Sequence, residues 1–197
     1  MKALLLAPHN DDEALFASFT CIREKPSVVV VTDSWIQFDR GDGITAEQRK
    51  KESEEAMAIL GCSVSFLGIP DNTLGNNKKS REVLRAQFKK FSPDVVYAPA
   101  IQGGNKHHDL VGLVALECFP NVLQYTTYSK QSLYTKGEVE IVPTPGEFEL
   151  KERALACYKT QQAHPWTAPH FAAVEGKSEW LIRTRPWLTL LRYRLGI

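Results

Sequence analysis

The chain has 197 residues, 43% hydrophobic and 24% charged, with a formal net charge of +1. That length allows one well-cored domain, expected over residues 1–197, and is short for two. The near-neutral balance offers no electrostatic footprint for nucleic acid, and no window reaches the roughly 18 apolar residues of a membrane span.

Residues 3–7 (ALLLA) read as a first strand, followed at once by the polar stretch PHNDDE. Residues 12–24 read as a helix with acids in its first turn, where the helix dipole favours them. Residues 28–32 (VVVVT) are β-branched without polar alternation, the pattern of a strand buried on both faces. A helix is expected over 46–60, with Thr45 and Gln48 as a capping box and Gly61 as its stop. A third strand follows over 63–67, a helix over 79–91, a fourth strand over 95–99 and a helix over 109–118. VLQYTTYS and VEIVP read as later strands, and 147–160 as one more helix. The basic, apolar segment RTRPWLTLLRYRLGI, from residue 183 onward, is expected to close the fold as a strand or helix on the core. The N-terminal apolar run is too short for a signal-peptide core. The cysteines at 21, 62, 118 and 157 lack zinc-finger or CxxC spacing and are expected to be reduced thiols in a cytoplasmic protein.

Strands alternating with helices predict an α/β fold, a Rossmann-like three-layer α/β/α sandwich with a mostly parallel sheet. In a sheet ordered 3-2-1-4, the loops after strands 1 and 4 face one another across the switch point. Those loops are PHNDDE and AIQGGNKHHDL, and they hold three of the five histidines: His9, His107 and His108.

The first loop crowds Asp11, Asp12 and Glu13 into consecutive positions, and neighbouring carboxylates repel unless a cation or proton sits between them. His9, Asp12 and one histidine of the second loop would make a set of two imidazoles and a carboxylate. Three protein ligands with an open fourth position describe a catalytic zinc site rather than a structural one. Such a site lowers the pKa of a bound water toward about 7. Asp11, beside a ligand but differently directed, suits a general base, and Glu13 falls in the helix turn. Taken singly, DDE is an ordinary helix cap and HH an ordinary surface pair.

PHNDDE closely resembles the (P/A)HPDDE motif of the PIG-L/LmbE-like N-acetylglucosaminyl deacetylases. VVVVTDS (28–34), QRKKESEEAMAILGCSVSFLGIPDNTL (48–74) and ALACYKTQ (154–161) resemble three further segments of that family, in order. The resemblance implies a Rossmann-like, zinc-dependent hydrolase that removes acetyl groups from N-acetylglucosamine-type sugars or conjugates, other divalent transition metals being alternatives. It implies His9 and Asp12 as metal ligands and Asp11 as general base. The third ligand is the last histidine of an HPDH-type motif, four residues before a small residue; His108 and Gly112 fit it, whereas the other register would put Leu110 at the metal. On this alignment Asn105 replaces the family's first His and His107 its Asp. Asn105 can donate a hydrogen bond but not transfer a proton, so His107 or protonated Asp11 is the candidate donor to the leaving amine. Asp33, Arg49 and Asp71 are candidate substrate contacts; their alternatives are a turn cap or ligand orienter, a solvated helix cation and a turn residue. His164 and His170 flank PWTAP, a candidate lid whose Trp166 suits stacking on a sugar ring.

Two rivals remain at this stage. A Mg²⁺ phosphoryl-transfer enzyme is disfavoured because DxD spacing and a GxxxxGK[ST] loop are both missing, and histidines favour zinc. A sugar- or partner-binding protein of the same fold, with little turnover, is kept open by Asn105.

Overall fold

The computed structural model describes residues 1–34, 44–75 and 77–183. It contains one seven-stranded sheet ordered β3-β2-β1-β4-β5-β7-β6. The strands are β1 (Ala3–Ala7), β2 (Ser27–Thr32), β3 (Val64–Ile69), β4 (Val95–Pro99), β5 (Val122–Tyr125), β6 (Val139–Ile141) and β7 (Glu179–Arg183). The first five pair in parallel; β7 runs antiparallel to both β5 and β6. The expected mostly parallel α/β sandwich is therefore the fold observed, with an antiparallel edge.

Alternation along β1 and β2 divides the core in two. Leu5, Ala7, Val28 and Val30 face one side, where they meet α1 (Asp12–Leu15), α2 (Ser18–Glu24), α3 (Ala46–Leu60), α6 (Pro145–Leu155) and α8 (Ala168–Val174). Leu4, Leu6, Val29 and Val31 face the other, against α4 (Lys78–Phe88) and α5 (Lys106–Cys118). Strands covered on both faces need continuous apolar runs, which is why VVVV carries no polar alternation.

The Thr45–Gln48 capping box and the left-handed Gly61 are present as expected. Several boundaries differ from expectation: the strand expected over 63–67 is Val64–Ile69, the helix expected over 79–91 is Lys78–Phe88, VLQYTTYS is a strand only over Val122–Tyr125, and three larger differences have local causes. The helix expected over 12–24 is two helices, broken at Phe16–Ala17, where the Ser18 hydroxyl donates to the Ala14 carbonyl and takes the place of a ladder bond. The helix expected over 147–160 stops at Leu155, and a short α7 (Lys159–Gln162) follows buried Tyr158. The helix expected from 109 starts at Lys106, because the Asn105 side chain accepts the His107 N–H and caps it. His107 and His108 thus lie in a helical first turn, not in a loop. The sequence PWTAP runs into α8, and β7 ends at Arg183; the rest of the segment expected to close the fold lies outside the described residues. No described helix is long and apolar enough to cross a membrane. All four cysteines are free thiols.

Candidate metal centre and cavity

The sheet order puts β1 beside β4, with Ala3 opposite Val95 and Leu5 opposite Tyr97. Chain connection reverses direction between these two strands, so a crevice opens beyond their carboxyl ends. PHNDDE enters it from β1, and the start of α5 enters from β4.

His9, Asp12 and His108 converge there, each at most 8% exposed. His9 Nδ1 lies 3.0 Å from Asp12 Oδ2 and 3.3 Å from His108 Nε2, and His108 Nε2 lies 3.1 Å from Asp12 Oδ1. A tetrahedral zinc with bonds of about 2.0–2.1 Å separates its ligands by about 3.3 Å, so this triangle has the size of one face of such a site. The donors also present the right atoms. His108 Nδ1 is paired with the Thr127 hydroxyl at 3.2 Å, which directs the Nε2 lone pair inward. His9 Nε2 faces His107 Nδ1 at 2.9 Å, and His107 Nε2 faces the Leu74 carbonyl at 3.2 Å. A carbonyl only accepts, so His107 carries its proton on Nε2 and accepts at Nδ1. His9 then carries its proton on Nε2, and Nδ1 is free to ligate. This hydrogen-bonded backing is the usual support of a metal-ligating imidazole. The donor set therefore fits a divalent transition metal.

The electrostatics agree. Burial pushes the Asp12 carboxyl up, but His108 and His9 outweigh it and hold Asp12 below the ordinary carboxylate range. Burial, then the Asp12 charge, push Asp11 well above that range, against the pull of Arg49 and His9. Burial and then His9 bring His107 down to about 4, so it is neutral at neutral pH. Asp11 sits at φ 152°, a region costly for a non-glycine residue. Its N–H donates to Glu13 Oε2 at 3.1 Å, and its carbonyl accepts from Ala14 and Leu15. Glu13 is held in turn by Ser53 and Tyr158, whose hydroxyls both donate to Oε1 at 2.7 Å. Glu13 is thus the buried strut of the Asp11 turn, more than an acid placed for the helix dipole.

A cavity of about 280 Å³ opens beside the triad, lined by His9, Asp11, Asp12, Arg49, Asp71 and Asn105 among others. That is the small end of ligand pockets. Both Asp71 carboxylate oxygens are buried with no hydrogen-bond donor among the described residues. Arg49 is 2% exposed rather than solvated; it donates to the Ser34 and Asn10 carbonyls at 2.6 and 2.7 Å and lies 3.7 Å from Asp11 Oδ2. Trp166 stands at the rim, 68% exposed. Two residues fall elsewhere than expected. His107 does not line the cavity, because both its nitrogens are engaged with His9 and Leu74. Asp33 does not line it either; its Oδ1 accepts the Asp71 N–H at 3.3 Å and steadies that turn. His9, Asp71 and His107 form a second, overlapping group of donor atoms within 4.8 Å, with His9 common to both.

The cavity wall also holds Tyr128 and His170, which the sequence reading left out or named only in passing. Tyr128 lies three residues past the end of β5, the strand beside β4, so the carboxyl-edge rule that found the other loops also points to it. Burial raises its phenol above the ordinary range.

An α/β sheet thus carries at its switch point a buried His–Asp–His group that could hold a metal ion. The family model for PIG-L, the GlcNAc-PI de-N-acetylases, matches residues 4–119, and the chain belongs to that family. No curated protein matches the chain significantly. Among solved structures, N,N'-diacetylchitobiose deacetylase from Pyrococcus horikoshii is similar at 18% identity and a TM-score of 0.67, over 98% of this chain and 85% of that one. A triple mutant of a deacetylase of the teicoplanin biosynthetic pathway is similar at 15% identity and 0.70, over 94% and 99%. GalB, the 4-carboxy-2-hydroxymuconate hydratase from Pseudomonas putida KT2440, is similar at 15% identity and 0.63, over 92% and 95%. At these identities the likeness is one of fold, and that fold carries more than one reaction.

Proposed function

We propose that this protein is a zinc-dependent N-deacetylase acting on an N-acetylglucosamine-type sugar or conjugate in the cytoplasm. The observation that carries the reading is the convergence of His9 Nδ1, Asp12 and His108 Nε2 beside Asp11, against a small cavity that His9, Asp11 and Asp12 line. His9, Asp12 and His108 would hold the metal. When bound, it would polarise the acyl carbonyl and acidify a water.

The chain's own groups do the rest. Asp11 accepts a proton from the attacking water and returns it to the departing amine, a task suited by a carboxyl that burial and the Asp12 charge hold well above the ordinary carboxylate range. Arg49 fixes the loop carbonyls of Asn10 and Ser34 and faces Asp11, so it sets the position and charge of the base. Asp71, with two buried oxygens lacking donors, accepts sugar hydroxyls. Trp166 offers a ring face at the rim. His107 orients His9 instead of donating to the amine, and Asp33 acts on substrate only through Asp71.

The reading is tested by acetate release from a panel of N-acetylglucosamine, N,N'-diacetylchitobiose and nucleotide- and lipid-linked N-acetylglucosamine. Release by zinc-loaded wild type and its loss in Asp11→Asn are the expected results. Sugar binding without release from any conjugate would instead favour a binding protein of this fold, the reading that Asn105 keeps open.

A further inference from the structure

The family's histidine is missing at position 105, yet the corner it would occupy retains a proton donor. Asn105 Oδ1 accepts the His107 N–H at 2.8 Å. Of the two amide atoms only the oxygen can accept a backbone N–H, so this cap fixes which way the amide points. Asn105 Nδ2 must then face the Tyr128 hydroxyl, 3.0 Å away. An amide nitrogen donates and does not accept. Tyr128 Oη is therefore the acceptor of that bond, and its own O–H is directed elsewhere. Among the described residues, no group accepts it.

The phenol is held firmly in this pose. Its ring centroid lies 5.1 Å from His108, 4.3 Å from His170 and 5.9 Å from Phe16. Gly104 lets the chain pass close behind it: a Cβ there would come within 2.3 Å of the Tyr128 carbonyl and 2.7 Å of its ring. Tyr128 and Asn105 both line the cavity that holds Asp11 and Asp12. A neutral O–H fixed before the substrate arrives is what a transition state with developing negative charge requires.

We propose that the Tyr128 hydroxyl donates a hydrogen bond to the oxyanion that develops on the acyl carbon, with Asn105 as the residue that aims it. The inference rests on the deacetylase reading. In that reaction the water oxygen bonds to the acyl carbon and the carbonyl π pair moves onto its oxygen. The pair then returns as the C–N bond breaks, and the amine leaves with the proton held by Asp11. Tyr128 keeps its proton throughout; the second proton of the water stays on the newly formed carboxyl group and is lost to solvent, so the products are acetate and the free amine.

Two substitutions and their combination test this. Tyr128→Phe removes the donor. Asn105→Asp keeps the helix cap but presents only acceptors, so it turns the Tyr128 O–H away from the substrate. Each is expected to lower kcat about 100-fold, in the range for loss of one oxyanion donor, with KM within about twofold and metal content unchanged. The double variant is expected to be no slower than Tyr128→Phe alone. A second readout is calorimetric binding of the N-methylphosphonamidate of glucosamine, a tetrahedral anion. It should weaken by a similar factor in each variant, while binding of glucosamine stays constant. An active wild type with unchanged kcat in Tyr128→Phe would overturn the inference alone. So would multiplicative effects in the double variant, or equal weakening of glucosamine binding. Wild type without acetate release from any conjugate would overturn the deacetylase reading, and this inference with it.

Discussion

Gly112→Ala tests how closely α5 must approach the sheet for His108 to reach the metal site. A Cβ at 112 would lie 2.2 Å from the Pro99 carbonyl oxygen and 3.1 Å from Gln124 Nε2. An ordinary C···O contact is about 3.3 Å, so the helix must retreat by roughly 1 Å. The β4 carbonyl cannot yield, since it ends a central strand and accepts from Gln124 at 3.0 Å. Overpacking of this kind costs about 1–3 kcal/mol, and the helix propensity of alanine over glycine returns about 1. A net loss of up to about 2 kcal/mol lowers Tm by up to roughly 8 °C in a chain this size. Residue 108 is one turn earlier on the same helix face, so it shares the retreat. A site whose ligand distances tolerate about 0.2 Å should then lose at least tenfold in zinc affinity. Calorimetry on metal-free protein measures the first effect, and zinc titration against a competing chelator the second. A metal-free Tm that rises, with zinc affinity intact, would refute the packing argument.

Three further outcomes concern charged groups within and outside the site. Lys151→Met leaves the buried Glu179 without its 2.7 Å partner and should destabilise the fold by about 3–5 kcal/mol; chemical denaturation measures it, and a loss under 1 kcal/mol contradicts it. Glu13→Gln must set an NH₂ against either the Asp11 N–H or the Ser53 and Tyr158 hydroxyls. It should cost about 1–3 kcal/mol and lower kcat more than KM, which steady-state kinetics will show. The Arg23 hydrogen bonds, aided by the Thr144 N–H, bring the Glu147 carboxyl from an ordinary 4.5 down to about 2. Its folded-state pKa is depressed, so this pair stabilises above about pH 4.5 and the contribution fades as pH falls toward 2. The Tm gap between wild type and Arg23→Ala should therefore close across that interval; a gap unchanged at pH 2 would refute the assignment.

Much of this architecture was readable from local pattern. VVVV and ALLLA marked buried parallel strands, Thr45 and Gln48 marked a helix start, and strand alternation placed the PHNDDE and NKHH loops face to face. What failed had tertiary causes. The break at Phe16–Ala17 depends on a hydroxyl replacing a ladder bond, and apolar periodicity does not register it. Histidines at 107 and 108 look like loop residues until Asn105 is seen as a cap, and the bonds to His9 and the Leu74 carbonyl that keep His107 out of the cavity come from distant segments. Asp33 and Asp71 read as equivalent turn acids, yet one supports the other's backbone. β7 enters between β5 and β6 against chain order, which no local pattern encodes. Tyr128 had a positional signal at the sheet edge, but its role depends on the direction of one amide.

On the proposed function, one metal held by His9, Asp12 and His108 makes this chain a deacetylase. The direct measurement is acetate release from N,N'-diacetylchitobiose and the other N-acetylglucosamine conjugates, as zinc is returned stepwise to chelator-stripped protein. Activity should rise with zinc and saturate at about one ion per chain, with neither binding nor activity in His108→Ala. Acetate release from fully stripped protein, or full activity in His108→Ala, would contradict it.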